Sequence, residues 1–135
     1  MNANQFHFHL QSEHTINGRR FDLEMHTVHF PKEPQAGIVA SAVGVIFDTT
    51  RYDRSVSVET VEIIDNFFES LRLDLSNDPL VQEIPFGELM ARIDLKNRWV
   101  YKGSLTTPPC TKLIFWNVVA QVYPIKQRHL DLFRN

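Results

Sequence analysis

Gln5-Phe6-His7-Phe8-His9 sets two imidazoles on alternate positions, and Asp22-Leu23-Glu24-Met25-His26 adds a third beside a carboxylate. Alternation of polar rings with phenylalanines is the period-two pattern of a strand with two unlike faces. His7 and His9 then share a face, roughly 6.6 Å apart at about 3.3 Å per residue, while Phe6 and Phe8 point into apolar packing. In the second stretch Glu24, His26 and Val28 occupy one face, and Leu23, Met25 and Thr27 the other. If the two strands are neighbours, about 4.8 Å apart, His26 closes a triangle with His7 and His9. Three imidazoles on rigid strands, with a fourth position open, form the protein half of a catalytic zinc site. Histidines alternating in a half-buried strand are the ordinary alternative. Against it stand Gln5 and Glu24, each two residues before a histidine and so on its face. A ligating ring needs such a partner for its other N–H.

The elements that must position these groups follow from local patterns. Gln11 to Thr15 read as a short connection, and Ile16-Asn17-Gly18-Arg19 as a hairpin turn, since Asn-Gly accepts positive φ. The second strand is expected from about Arg20 to Phe30, with Pro31 to Pro34 ending it because proline cannot donate to a ladder. Ile38 to Phe47 is a β-branched apolar run, a strand buried on both faces, followed by a charged loop from Asp48 to Arg54. Val61, Ile64, Phe68 and Leu71 recur at helical spacing and predict a helix over Val58 to Leu73. Phe86 to Leu89 reads as a connecting turn. Trp99 to Leu105 and Lys112 to Tyr123 read as strands around a Pro108-Pro109 corner, and Gln127 to Phe133 as a terminal helix that leaves His129 exposed and without a role. The fold class is mainly β, one central sheet with peripheral helices.

Composition narrows the function classes. A chain of 135 residues with 43% hydrophobic content is one globular domain or part of one. A net charge of −2 offers no basic footprint for nucleic acid. No apolar run approaches the roughly 18 residues of a membrane span, and Met1 opens no signal-peptide pattern. Cys110, the single cysteine, cannot form an internal bridge and by itself reads as a small buried hydrophobe.

Four motifs taken together resemble the α-class carbonic anhydrases. They are Gln5 to His9, Ser12-Glu13-His14-Thr15, Glu24-Met25-His26 with Val28-His29, and Tyr101-x-Gly-Ser-Leu-Thr-Thr-Pro-Pro109 followed by Trp116. They occur in the family's order. The resemblance covers nearly the whole chain but only the middle of the family's domain, so residues 1–135 are expected to form an incomplete domain with the central twisted β-sheet in part. The family's amino-terminal portion, with its Ser-Pro-Ile-Asn segment and proton-shuttle histidine, would precede Met1. Its Asn-Trp-Arg-Pro segment would follow Asn135.

The resemblance implies a zinc cofactor on His7, His9 and His26, and a lyase reaction. That reaction is the reversible hydration of carbon dioxide to bicarbonate and a proton by a zinc-bound hydroxide. It assigns Thr106 to orienting the hydroxide while donating its own proton to Glu13. A carboxylate can only accept, so the threonine must donate to it. Val28, Leu105, Ile114 and Trp116 match the apolar wall of the substrate pocket and Thr107 its rim. His14 and His29 match buried structural histidines. Cys110 matches a cysteine bridged to the absent amino-terminal portion, which points to a secreted, periplasmic or organelle-lumen compartment. The implied partners are carbon dioxide and bicarbonate, and a chain or segment supplying the missing ends. Alone, the chain is expected to be at most weakly active. The competing class is a non-catalytic structural or binding subunit of a larger assembly.

Overall fold

Ser12 ties together the connection between the first two strands. It is fully buried, its backbone N–H bonds Phe21 O at 2.8 Å, and its hydroxyl donates to His14 O and accepts from Phe21 N. Beyond it, Asn17 (φ 52°) and Gly18 (φ 77°) take the positive φ that the hairpin turn requires, closing an Ile16–Arg19 bridge. The flanking strands, β1 (Asn2–Leu10) and β2 (Leu23–Phe30), pair antiparallel with His7 opposite His26 and His9 opposite Glu24. The computed structural model describes residues 2–33, 37–75, 84–106 and 108–134, with side chains from residue 5 onward. Pro34 and Thr107 lie outside them.

Seven further elements complete the description: β3 (Ala40–Asp48), α1 (Val58–Ser70), α2 (Phe86–Arg92), β4 (Arg98–Ser104), β5 (Lys112–Val119), β6 (Tyr123–Pro124) and α3 (Gln127–Phe133). The strands form one mixed sheet ordered β1-β2-β3-β5-β4, with β6 paired to β3. β1, β2 and β3 are antiparallel neighbours, β3 runs parallel to β5 and β6, and β4 is antiparallel to β5. Period-two alternation then divides the core. Leu23, Met25, Val45 and Phe47 pack on one face against Ile64, Phe67 and Phe68 of α1, Leu89 of α2 and Leu130 of α3. Phe6 and Phe8 join that side, leaving the histidines of β1 on the other. The second face carries a smaller apolar cluster of Val28, Ala40, Ala42, Ile114 and Trp116.

Several local expectations are corrected by packing. Helix α1 starts where expected, with the Ser57 hydroxyl accepting from Thr60 N, but ends at Ser70. Arg72 then takes φ 51°, which no helix continues. Its buried stripe is Thr60, Ile64, Phe67 and Phe68, so Val61 and Leu71 lie at the margin. Phe86 to Leu89 is no turn but the first part of α2. Phe86 stacks on Phe6 at 5.4 Å and Leu89 is fully buried, and this burial supports a helix too short to persist alone. The strand expected over Lys112 to Tyr123 breaks after Val119 and resumes as β6, where Tyr123 pairs with Phe47.

His129 is buried, not exposed. Its Nε2 lies 2.6 Å from Asp65 Oδ1 and its ring stacks on Phe68, so one face of α3 is clamped to α1. Cys110 is exposed rather than a buried hydrophobe. Among the described residues no helix is long and apolar enough to cross a membrane.

Candidate metal centre

The β1–β2 register brings three rings together on the sheet face away from the helices. Centroids of His7, His9 and His26 lie 5.0, 5.3 and 4.6 Å apart pairwise, and one nitrogen from each falls within 4.8 Å of the others. Tetrahedral zinc with bonds of about 2.0–2.1 Å sets its nitrogens roughly 3.3 Å apart, inside that bound. His9 Nε2 is buried and has no hydrogen-bond partner among the described residues. It sits 3.1 Å from Glu13 Oε1, but out of line for a hydrogen bond. Leaving a buried ring nitrogen unpaired is costly unless something else occupies its lone pair. Burial, then the His26 and His9 imidazoles, holds His7 below its ordinary pKa, and burial and His26 do the same for His9. Neutral rings with free lone pairs are what a metal requires. This donor set fits zinc.

Two other clusters offer ligand atoms at similar spacing among the described residues, and hydrogen bonding accounts for both. Asp65 and Glu69 are already engaged by Lys126 and Arg128, and His129 by Asp65, a network joining α1 to α3. A cavity of about 500 Å³ opens beside that network, larger than the one lined by His7 and His26, but its charges neutralise one another. His14, Glu24 and His26 form a hydrogen-bonded chain. Glu24 Oε2 meets His26 Nε2 and lies 2.6 Å from His14 Nδ1, while Oε1 accepts from His14 N at 2.9 Å. Burial would raise the Glu24 carboxyl, but the His14 and His26 hydrogen bonds outweigh it and hold it at about 2. An ionised Glu24 requires His26 Nε2 to carry the proton, so Nδ1 presents a lone pair to His7 and His9.

The remaining sequence-predicted residues fall around this group. Thr106 Oγ1 donates to Glu13 Oε1 at 2.7 Å, and the same oxygen lies 3.7 Å from His26 Nδ1. Gln5, His7, His26, Val28, Leu105, Thr106 and Trp116 line a cavity of about 230 Å³. Gln5 makes no hydrogen bond to His7 among the described residues; it stands exposed on the cavity wall, next to a bulge between Ala3 and Gln5. Ile114 is buried behind Val28 and Trp116 and does not reach the surface of the cavity. Trp116 sets its ring edge-on to His26 at 4.8 Å and donates from Nε1 to Ser104 O. His14 is half-buried and His29 bonds Thr27 on the opposite face of β2.

Gly44 is a site residue that the sequence reading passed over. It pairs with His26 across β2–β3, and a Cβ there would lie 3.0 Å from Glu24 Oε2 and 3.7 Å from His26 Cδ2. A glycine inside a β-branched strand is the signal of such a close approach. Gly44→Ala should cost about 1–3 kcal/mol of stability through overpacking and shift the His26 ring ¹⁵N resonances. Thermal denaturation and NMR of the variant check this, and unchanged resonances would show that β3 simply gives way.

Comparison with known proteins bears on the family and the fold. The chain matches the family of eukaryotic-type carbonic anhydrases over residues 1–135. Alpha carbonic anhydrase 7 of Arabidopsis thaliana is 33% identical over 135 aligned positions, covering 96% of this chain and 43% of that protein. Dioscorin DB3S of Dioscorea polystachya is 30% identical over 130 positions, 96% of this chain and 44% of that protein. The solved α-carbonic anhydrase from Thermovibrio ammonificans, in complex with the inhibitor sulfanilamide, matches with a TM-score of 0.69 at 27% identity. That match covers 98% of this chain and 53% of the other. The chain thus spans about half the length of the relatives it matches. It belongs to the eukaryotic-type carbonic anhydrase family.

Proposed function

We propose that this chain carries the zinc centre of an α-carbonic anhydrase and serves the reversible hydration of carbon dioxide to bicarbonate and a proton. The observation that carries this reading is the buried His9 nitrogen, which has no hydrogen-bond partner among the described residues and is grouped with two further imidazoles beside the Thr106–Glu13 hydrogen bond. His7, His9 and His26 would hold the metal. When bound, zinc supplies Lewis acidity that ionises a water at neutral pH.

The chain's own groups divide the remaining work. Glu13 accepts the Thr106 proton, so Thr106 Oγ1 keeps only lone pairs for the cavity and selects a group that donates a hydrogen. Such a filter orients a hydroxyl and leaves its reactive lone pair free. Val28, Leu105 and Trp116 give an apolar wall suited to an uncharged substrate, with Ile114 packed behind. Glu24 fixes the tautomer of His26. Cys110, exposed and the chain's sole cysteine, has its thiol available to a cysteine outside the chain, consistent with an oxidising compartment.

A chain or segment supplying the family's remaining portions is part of the proposal, because the match covers only about half of each relative. A structural or binding subunit is the second reading, favoured by Trp99 and Val100, about half exposed on the outer strand β4. Elemental analysis and carbon dioxide hydration separate the two, measured on the chain alone and with the remaining portions supplied in cis. We expect one zinc per chain, and hydration in the supplemented form that sulfanilamide inhibits. Absence of stoichiometric zinc would overturn the centre, and zinc without hydration in the completed protein would leave the subunit reading.

A further inference from the structure

Tyr101 belongs to the longest of the sequence motifs, yet the chemistry above gives it nothing to do. Its hydroxyl meets His14 Nε2 across a sequence separation of 87 residues. The ring lies parallel to Trp116, with centroids 6.3 Å apart and 10° between planes. Gly103 makes room for it, since a Cβ there would lie 2.8 Å from Tyr101 Cε2 and 3.1 Å from Trp116 Cδ1. A backbone choice two residues away thus aims one phenol at one imidazole.

The protons along this path can be counted. Glu24 accepts only, and it faces His14 N, His14 Nδ1 and His26 Nε2. Both ring nitrogens must therefore carry hydrogen. A neutral imidazole has one N–H, so His14 Nε2 is a lone pair and Tyr101 O–H donates to it. Burial, then the Glu24 and Glu13 charges, raises the Tyr101 pKa and keeps the phenol a donor. Glu24 by itself favours the Nδ1–H form of His14, and the Tyr101 O–H adds to that preference; without it, the form with the proton on Nε2 and a lone pair toward the Glu24 carboxylate is opposed less strongly. In that form two acceptors would face each other in a buried place, and Glu24 would lose part of what holds it against His26.

We propose that Tyr101 is a positioning residue: its hydroxyl reinforces the His14 tautomer that Glu24 selects and, through Glu24, helps keep the His26 Nδ1 lone pair aimed at His7 and His9. The consequence for metal affinity rests on the zinc reading above. The consequence for the rings does not.

Tyr101→Phe is the test, since it keeps the ring and its stacking and deletes one hydrogen bond. Ring ¹⁵N resonances of His14 and His26 are read in the metal-free chain, and zinc affinity by competition with a chelator. In the parent chain His14 should show a protonated Nδ1 and an unprotonated Nε2. In the variant that pattern should blur toward mixed tautomers, and zinc should bind about tenfold more weakly, the low end of what loss of an outer hydrogen-bond partner costs. Gly103→Ala keeps every hydrogen-bonding group but displaces the phenol, and should move the same resonances. A merely structural role would lower the thermal transition of Tyr101→Phe while leaving the ring resonances and the affinity where they were, and that result overturns the proposal. If the parent chain binds no zinc, the zinc reading falls, and the His14 and His26 resonances still decide the role of Tyr101.

Discussion

His26→Ala should abolish stoichiometric zinc, and His7→Ala should do so at much smaller cost to the fold. Both are expected because each removes one of three imidazoles, and a lost ligand costs more than the about 10–100-fold typical of a lost outer partner. The two differ in what else they break. His26 is buried, donates to Glu24 and packs against Trp116. Removing it leaves an ionised, fully buried carboxylate short of one donor, which costs about 1–3 kcal/mol, toward the upper end because the group is charged. His7 is half-buried and touches no carboxylate in an ion pair among the described residues. Elemental analysis beside far-ultraviolet circular dichroism checks the pair. Tight zinc retained by a folded His7→Ala chain would remove the three-histidine centre from consideration.

Thr106→Ala should leave zinc bound and lower hydration on the order of a hundredfold, the usual cost of losing one positioned hydrogen bond at a reacting group. The hydroxyl is not among the ring nitrogens that would hold metal, so occupancy should not change. Glu13→Gln is the sharper companion. A glutamine can donate from its amide, so the Thr106 hydroxyl is then free to turn its hydrogen toward the cavity. Orientation would be lost with every atom of the threonine in place. Turnover of the completed protein, measured as kcat/KM for carbon dioxide, gives the readout. Unchanged turnover in either variant, with zinc present, would mean that this hydrogen bond does not serve the reaction.

How much of this was legible beforehand depends on distance along the chain. His7, His9 and His26, with Glu24, could be placed because alternation assigns faces within a strand, and the Asn17-Gly18 turn makes the two strands neighbours. The Thr106–Glu13 bond spans 93 residues and was reached only through the family resemblance. Gly44 was missed because a glycine's purpose is visible only when the side chain filling its space is known. His129 was misjudged because a seven-residue helix carries too little periodicity to say which face is covered. α2 was missed for the same reason, its burial coming from Phe6 and the far side of the core.

The sequence by itself determined the parts whose physics is local. Backbone alternation chose which side chains share a face, positive-φ residues chose the hairpin, and side-chain chemistry limited three neutral imidazoles and a carboxylate to a short range of uses. Tertiary structure decided the rest, because those choices depend on groups brought together from distant positions. The parallel pairing of β3 with β5 carries Trp116 and, through β4, Tyr101 over to the histidines. Only there does a chain of hydrogen bonds run from a phenol through His14 and Glu24 to His26. A proton's position on a ring depends on every acceptor that surrounds it, and that list exists only once the sheet has formed.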